Sequence, residues 1–177
     1  MKYNIIVATE KNNGIGNKNK LPWNYIKNDM KLFSQLTKGE NLNNAIIMGK
    51  KTFLSIGKEL EGRKNLIIST SLTLNYLDIN NIKYNPDNSK IFSNINNCIQ
   101  FCNSQNFDSV WIIGGEEIYN QFLSLNIIDN IYQCKIYNSY ECDKFFPEIP
   151  LKYSLNSIQK INDDPCVFQL IWGKLMP

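Results

Sequence analysis

Two stretches of the chain share one grammar: a short apolar run, a glycine, then a helix start. They are Ile46-Ile47-Met48-Gly49-Lys50-Lys51-Thr52 and Ile112-Ile113-Gly114-Gly115-Glu116-Glu117. Glycine lets backbone approach a ligand closely, and the free N–H groups at a helix start attract anions. Lys50 and Lys51 add positive charge to the first stretch, and Thr52 adds a hydroxyl. Ligands of an α/β sheet gather at the carboxyl ends of its parallel strands. Two such turns on one edge could hold a diphosphate and a further phosphate, as in a dinucleotide; each is also compatible with an ordinary strand–helix turn. Gly14-Ile15-Gly16 follows the first strand, but Asn19 stands at the third glycine position of a dinucleotide fingerprint and Leu21-Pro22-Trp23 follows in place of a helix. That segment reads as a glycine-hinged loop over a pocket.

Asp29 lies at the start of a predicted helix over 27–37. Helical steps of about 100° let Asp29, Met30 and Phe33 share a broad face. A carboxylate beside two large apolar groups is either a first-turn acid favoured by the helix dipole or a pocket acid. In the second case its two acceptors match two donors on a cationic or amidine-like ring edge. Arg63 is the only arginine among 19 basic residues. It is either an incidental surface charge or a planar fork for a carboxylate or phosphate. The chain has no histidine, which excludes Ser-His-Asp and Cys-His nucleophile systems and His-ligated metal sites. Acid–base chemistry falls to Asp, Glu, Lys, Tyr, Cys or water. A net charge of +3 is too weak to imply a nucleic-acid partner.

The elements that must position these residues follow from pattern. With 177 residues, the length corresponds to one domain at about 150 residues each. Hydrophobic residues make up 43% and charged residues 20%, which excludes collagen-like and strongly charged disordered classes. Short continuous apolar runs predict strands buried on both faces at 3–9, 44–48, 65–69 and 109–113. Later, more alternating strands are predicted at 131–137, 153–161 and 166–175. Helices are predicted at 27–37, 51–56, 94–103 (with Ser93 as N-cap) and 116–125. The polar stretch 75–89 reads as surface loop with at most one short strand. Alternation of strand and helix gives an α/β class with a largely parallel sheet, and the helix-poor end beyond residue 130 suggests antiparallel additions at one edge. Five cysteines occur without a CxxC pair, residues 1–9 read as a strand rather than a signal peptide, and no apolar stretch approaches the roughly 18 residues of a membrane span. The expectation is a cytoplasmic protein with reduced thiols.

Taken together, Ile5-Ile6-Val7-Ala8, Gly14-Ile15-Gly16-Asn17, Leu21-Pro22-Trp23, Asp29, residues 47–53, Ser55-Ile56, Gly62-Arg63, residues 65–69, residues 110–115, Ile118-Tyr119 and residues 143–148 resemble the dihydrofolate reductase family in order and spacing. The resemblance implies an eight-stranded mixed, mostly parallel sheet flanked by helices. It implies NADPH-dependent reduction of 7,8-dihydrofolate to tetrahydrofolate, supplying one-carbon metabolism and thymidylate synthesis. By the same resemblance Asp29, Trp23 and Leu21 form the catalytic set: Asp29 binds the pterin and Trp23 helps hold a water. Ile6, Val7, Ala8, Leu21, Met30, Phe33, Ser55, Ile56, Leu60, Ile113, Tyr119 and Cys134 line the folate site, and Arg63 grips the glutamate tail. Ala8, Ile15, Leu21, Gly49, Lys50, Lys51, Thr52, Ser69, Thr70, Ile113, Gly114, Gly115, Glu116, Glu117, Ile118 and Tyr119 form the NADPH site. Three positions depart from the family's habit. Cys134 stands where a threonine usually supports the acid, Glu59 where a proline is common, and Thr70 where some members place an arginine, which shifts the preference for NADPH onto Lys50 and Ser69. A monomer is expected. The rivals are another pterin or pyrimidine reductase on the same fold, such as the riboflavin-pathway enzyme, and a catalytically idle binding module.

Overall fold

The structure is a computed structural model that describes residues 1–175. In chain order the elements are β1 (Lys2–Glu10), β2 (Gly14–Gly16), α1 (Lys27–Lys38), β3 (Ala45–Gly49), α2 (Lys50–Ile56), β4 (Lys64–Ile68), α3 (Leu74–Ile79), β5 (Ser89–Phe92), α4 (Ile95–Ser104), β6 (Ser109–Ile112), α5 (Glu116–Ser124), β7 (Asn130–Ile136), β8 (Lys144–Phe145), β9 (Tyr153–Asn162) and β10 (Val167–Lys174). Eight strands form one sheet in the order β5-β4-β3-β6-β1-β7-β10-β9. All pairs from β5 to β7 are parallel, and β10 and β9 are antiparallel additions at one edge. The sheet is the mixed, mostly parallel one expected.

Side chains alternate across a strand with period two, and that period sorts the core into two layers. Ile5, Val7, Ala45, Ile47, Val110 and Ile112 face α4 and α5, together with Cys98, Cys102, Tyr119 and Phe122. Ile6, Ile46, Met48, Ile67 and Trp111 face the other way, against Phe33 and Leu36 of α1 and Phe53 of α2. Residues 45–48 are completely buried, which is why these strands read as unbroken apolar runs.

Four expectations need correction. β7 lies beyond residue 130 yet runs parallel to β1, so the antiparallel part begins only at β9. Residues 75–79, expected as loop, lie in α3, capped by Thr73 accepting from Tyr76 N at 3.2 Å; only Leu77 of this helix is buried, so no apolar stripe announces it. The cap of α4 is Asn94, which accepts from Asn97 N at 2.9 Å, one residue past Ser93. Finally, β2 and β8 pair as a separate two-stranded ribbon, too short for an alternation pattern to reveal.

Candidate active site

Asp29 sits in the first turn of α1 and is only 7% exposed. Helix α1 packs so that this carboxylate faces Cys134 of β7, whose register partner on β1 is Ala8. Burial raises the pKa of Asp29, and the Cys134 thiol opposes the shift by hydrogen bonding to the carboxylate. The net direction is up. Burial and the neighbouring Asp29 charge hold the thiol well above its ordinary range, so Cys134 remains a protonated donor rather than a thiolate.

The expected apolar wall falls into two clusters. Ile6, Phe33, Ile56, Leu60 and Ile113 lie in one cluster. Ala8 and Trp23 pack with Cys134, Ile136 and Val167, and the Trp23 ring meets Tyr140 edge-on at 5.9 Å. Met30 is half-buried on the same helix. Val7 departs from expectation: its side chain joins Ile5 on the opposite face, because Ile6 and Ala8 already take the α1 side of β1. Leu21 is 57% exposed and joins none of the buried clusters. Ser55 is exposed, and its hydroxyl donates to the Asn19 carbonyl at 2.7 Å, tying α2 to segment 14–23.

Arg63 is buried at the start of β4. Its Nη1 donates to Thr37 Oγ1 on α1 and its Nε to the Glu61 carbonyl at 3.1 Å. Burial lowers its pKa, but an arginine has so much reserve that it stays charged. The Phe33 ring lies 5.9 Å from the guanidinium carbon.

The two glycine turns meet. Gly49 N donates to the Gly114 carbonyl at 2.8 Å, and Ile113 N donates to the Ile47 carbonyl at 2.9 Å. A Cβ on Gly49 would lie 3.2 Å from Ile118, and one on Gly114, where φ is +104°, would lie 2.8 Å from the Tyr119 ring. Gly114 therefore requires glycine, while a side chain at Gly49 would press on Ile118. Gly49 and Gly115 are the N-caps of α2 and α5, and neither helix start has a side-chain cap. The Tyr119 hydroxyl donates to the Ile6 carbonyl at 2.9 Å, linking this edge to β1. Gly49 is in register with Ile68, which brings the end of β4 alongside. There Ser69 Oγ accepts from Ser71 N at 3.2 Å and Leu72 N at 2.9 Å, and Thr70 is exposed. Lys50 Nζ donates to Ser71 Oγ at 3.1 Å and stands 4.9 Å from the centre of the Tyr76 ring.

Two expected cofactor residues are otherwise engaged. Glu116 accepts from Phe145 N at 3.0 Å and pairs with Lys144 at 3.8 Å, and exposed Glu117 accepts from Gln121 at 3.2 Å. Ile15 and Ile118 pack into the α4/α5 layer. Lys51 is exposed beside half-buried Thr52.

The first half of segment 14–23 is pinned by Asp143. Asp143 N donates to the Gly16 carbonyl at 2.9 Å, and Asp143 Oδ2 accepts from Lys18 N at 3.1 Å. Sequence reasoning placed Asp143 in a matching stretch without a role for it. Its signal was an acid just ahead of the Phe145-Phe146-Pro147 run. A hollow of about 440 Å³ between α4 and α5 is lined by amides, Ile95, Ser124 and Leu125, with no titratable side chain among them.

The model of the dihydrofolate reductase family matches residues 2–170. A dihydrofolate reductase of Drosophila melanogaster is 32% identical over 157 residues, covering 85% of this chain and 81% of that protein. One from Staphylococcus haemolyticus is 34% identical over 149 residues, covering 84% of this chain and 78% of its own. A viral dihydrofolate reductase of Saimiriine herpesvirus 2 is 34% identical over 159 residues, with 84% and 70% covered. Similarity of this extent runs through the sheet, both glycine turns and the buried acid, and the chain belongs to the dihydrofolate reductase family.

Proposed function

We propose that the chain reduces 7,8-dihydrofolate to 5,6,7,8-tetrahydrofolate with NADPH, as a monomer in the cytoplasm. The observation that carries the reading is a buried carboxylate, Asp29 on α1, in a fold whose sheet also carries two glycine turns bonded to each other. The turns fit a dinucleotide: two helix starts without side-chain caps offer N–H groups to a diphosphate.

The cofactor supplies the hydride. The protein's work is to hold the two reacting carbons about 3–3.5 Å apart and to manage the proton. Asp29 accepts hydrogen bonds from two N–H donors of the pterin edge, which fixes the ring and raises its affinity for a proton at the C=N nitrogen. Cys134 steadies the carboxylate from behind. Ile6, Phe33, Ile56, Leu60 and Ile113 give the ring and its aryl extension an apolar lining. Arg63, anchored by Thr37 and the Glu61 carbonyl, offers its remaining N–H groups to a carboxylate tail. The segment 14–23 closes the site so that one water, not bulk solvent, delivers the proton. Lys50, held by Ser71 and Tyr76, supplies the positive charge for an extra phosphate and hence a preference for NADPH. The localisation reading rests on five free cysteines, which suit a reducing compartment; no helix among the described residues is long and apolar enough to cross a membrane. The monomer reading rests on exposed large apolar side chains that are scattered along the chain.

Loss of NADPH absorbance on adding dihydrofolate tests the reading. Substrate-dependent oxidation is expected. Oxidation with a pyrimidine or other pterin substrate and none with dihydrofolate would overturn it in favour of a different reductase on this fold.

A further inference from the structure

Glu10 ends β1 and is only 2% exposed, an unusual place for a carboxylate. Its Oε1 accepts from Asn12 N at 2.6 Å and from Gly14 N at 3.0 Å. Its carbonyl accepts from Asn13 N at 3.1 Å. The other carboxylate oxygen is buried with no protein partner among the described residues. One side chain thus organises the whole turn from which β2, the first strand of segment 14–23, departs. The far side of β2 is equally tight. A Cβ at Gly14 would lie 2.4 Å from Cys142 Sγ and 3.0 Å from Glu10 Cγ, so Gly14 is clamped between the carboxylate and the thiol. Burial, with help from the Glu10 charge, raises the pKa of Cys142, which keeps that side of the clamp a neutral thiol.

We infer that Glu10 is a positioning residue that sets the angle at which segment 14–23 leaves the sheet and so its closure over the reacting groups. It touches neither substrate nor cofactor. A carboxylate suits the task because charge-assisted bonds to two backbone N–H groups are stronger than neutral ones, and because its shape leaves no room for β2 to slide. The inference rests on the reductase reading for its catalytic consequence but not for its structural one.

Hydrogen exchange on the ligand-free full chain separates the two. Glu10→Ala removes the acceptor from two N–H groups, that of Gly14 buried, so amides of residues 12–20 should exchange about tenfold faster, while β3 and β6 keep wild-type protection. Glu10→Gln presents an amide oxygen in place of Oε1, a weaker neutral acceptor, and should restore most but not all of the wild-type protection. Glu10→Asp keeps the charge but retracts the acceptor; it should speed the same amides and carries the test if the alanine variant fails to fold. In turnover Glu10→Ala should lower kcat about tenfold with KM for NADPH changed less than about twofold, and Glu10→Gln should recover it. Unchanged exchange in residues 12–20, or a glutamine variant as impaired as alanine, would overturn the inference. Absence of any dihydrofolate turnover in the wild type would strike the reductase reading instead, and the exchange result would stand by itself.

Discussion

Asp29 is held where an ion is costly. Its pKa is raised mainly by burial, so between the unfolded and folded pKa values the native state binds more protons than the unfolded chain. Stability therefore falls as pH rises through that window, and above the folded pKa the full cost is present. Below the unfolded value both states are protonated and the cost vanishes. Asp29→Asn should accordingly raise stability at neutral pH and leave it unchanged in acid, as read by denaturant unfolding at both pH values; equal effects at the two would contradict the assignment of burial as the cause. Cys134 makes the opposite contribution. A hydroxyl is a better donor than a thiol, so Cys134→Thr should lower the Asp29 pKa and Cys134→Ala should raise it, followed by carbon NMR of the carboxyl group. A pKa unmoved by either variant would remove Cys134 from the acid's support. Asp29 was legible in the sequence because an acid flanked at helical spacing by Met30 and Phe33 is out of place. Glu10 was not, because a charged residue at the end of a strand looks like ordinary solvent-facing punctuation. Val7 was misplaced because the period-two pattern of β1 was not carried through to ask which neighbours share the α1 face.

At the scale of elements, the glycine turns were readable because each breaks an apolar run abruptly just before a helix, and the sheet order then brings β3, β4 and β6 side by side. Helix α3 was hidden by its six residues and single buried anchor, Leu77. It nonetheless places Tyr76 against Lys50. A cation fixed by a hydroxyl and an aromatic face is pre-organised to meet a phosphate. Tyr76→Ala should raise KM for NADPH about threefold and Lys50→Ala about tenfold, while KM for NADH stays nearly constant. Steady-state kinetics with both cofactors checks this, and equal losses with NADH would mean the pair supports the fold rather than the extra phosphate. The β2–β8 ribbon escaped the sequence for a related reason: five residues in all, and its cohesion comes from backbone bonds such as Phe146 N to the Asn13 carbonyl at 2.8 Å, which no side-chain pattern encodes.

For the molecule as a whole, the sheet divides labour between its faces. The α4/α5 layer is apolar and closed, with Phe122, Ile128 and Ile131 completely buried. The α1/α2 layer gives up part of that closure to admit Asp29, Cys134 and Arg63. Parallel strands put the glycine turns at one end of the sheet, and α1 brings the acid over β1 and β7. The central claim is that these two features serve one cleft, the acid acting on the substrate ring and the turns on the cofactor. Single-turnover reduction of dihydrofolate, measured beside NADPH affinity in Asp29→Asn, tests it most directly. The account predicts a fall in the reduction rate of about 10²-fold or more at neutral pH, with the dissociation constant for NADPH within about twofold of wild type. A reduction rate close to wild type, or a loss confined to NADPH binding, would contradict it.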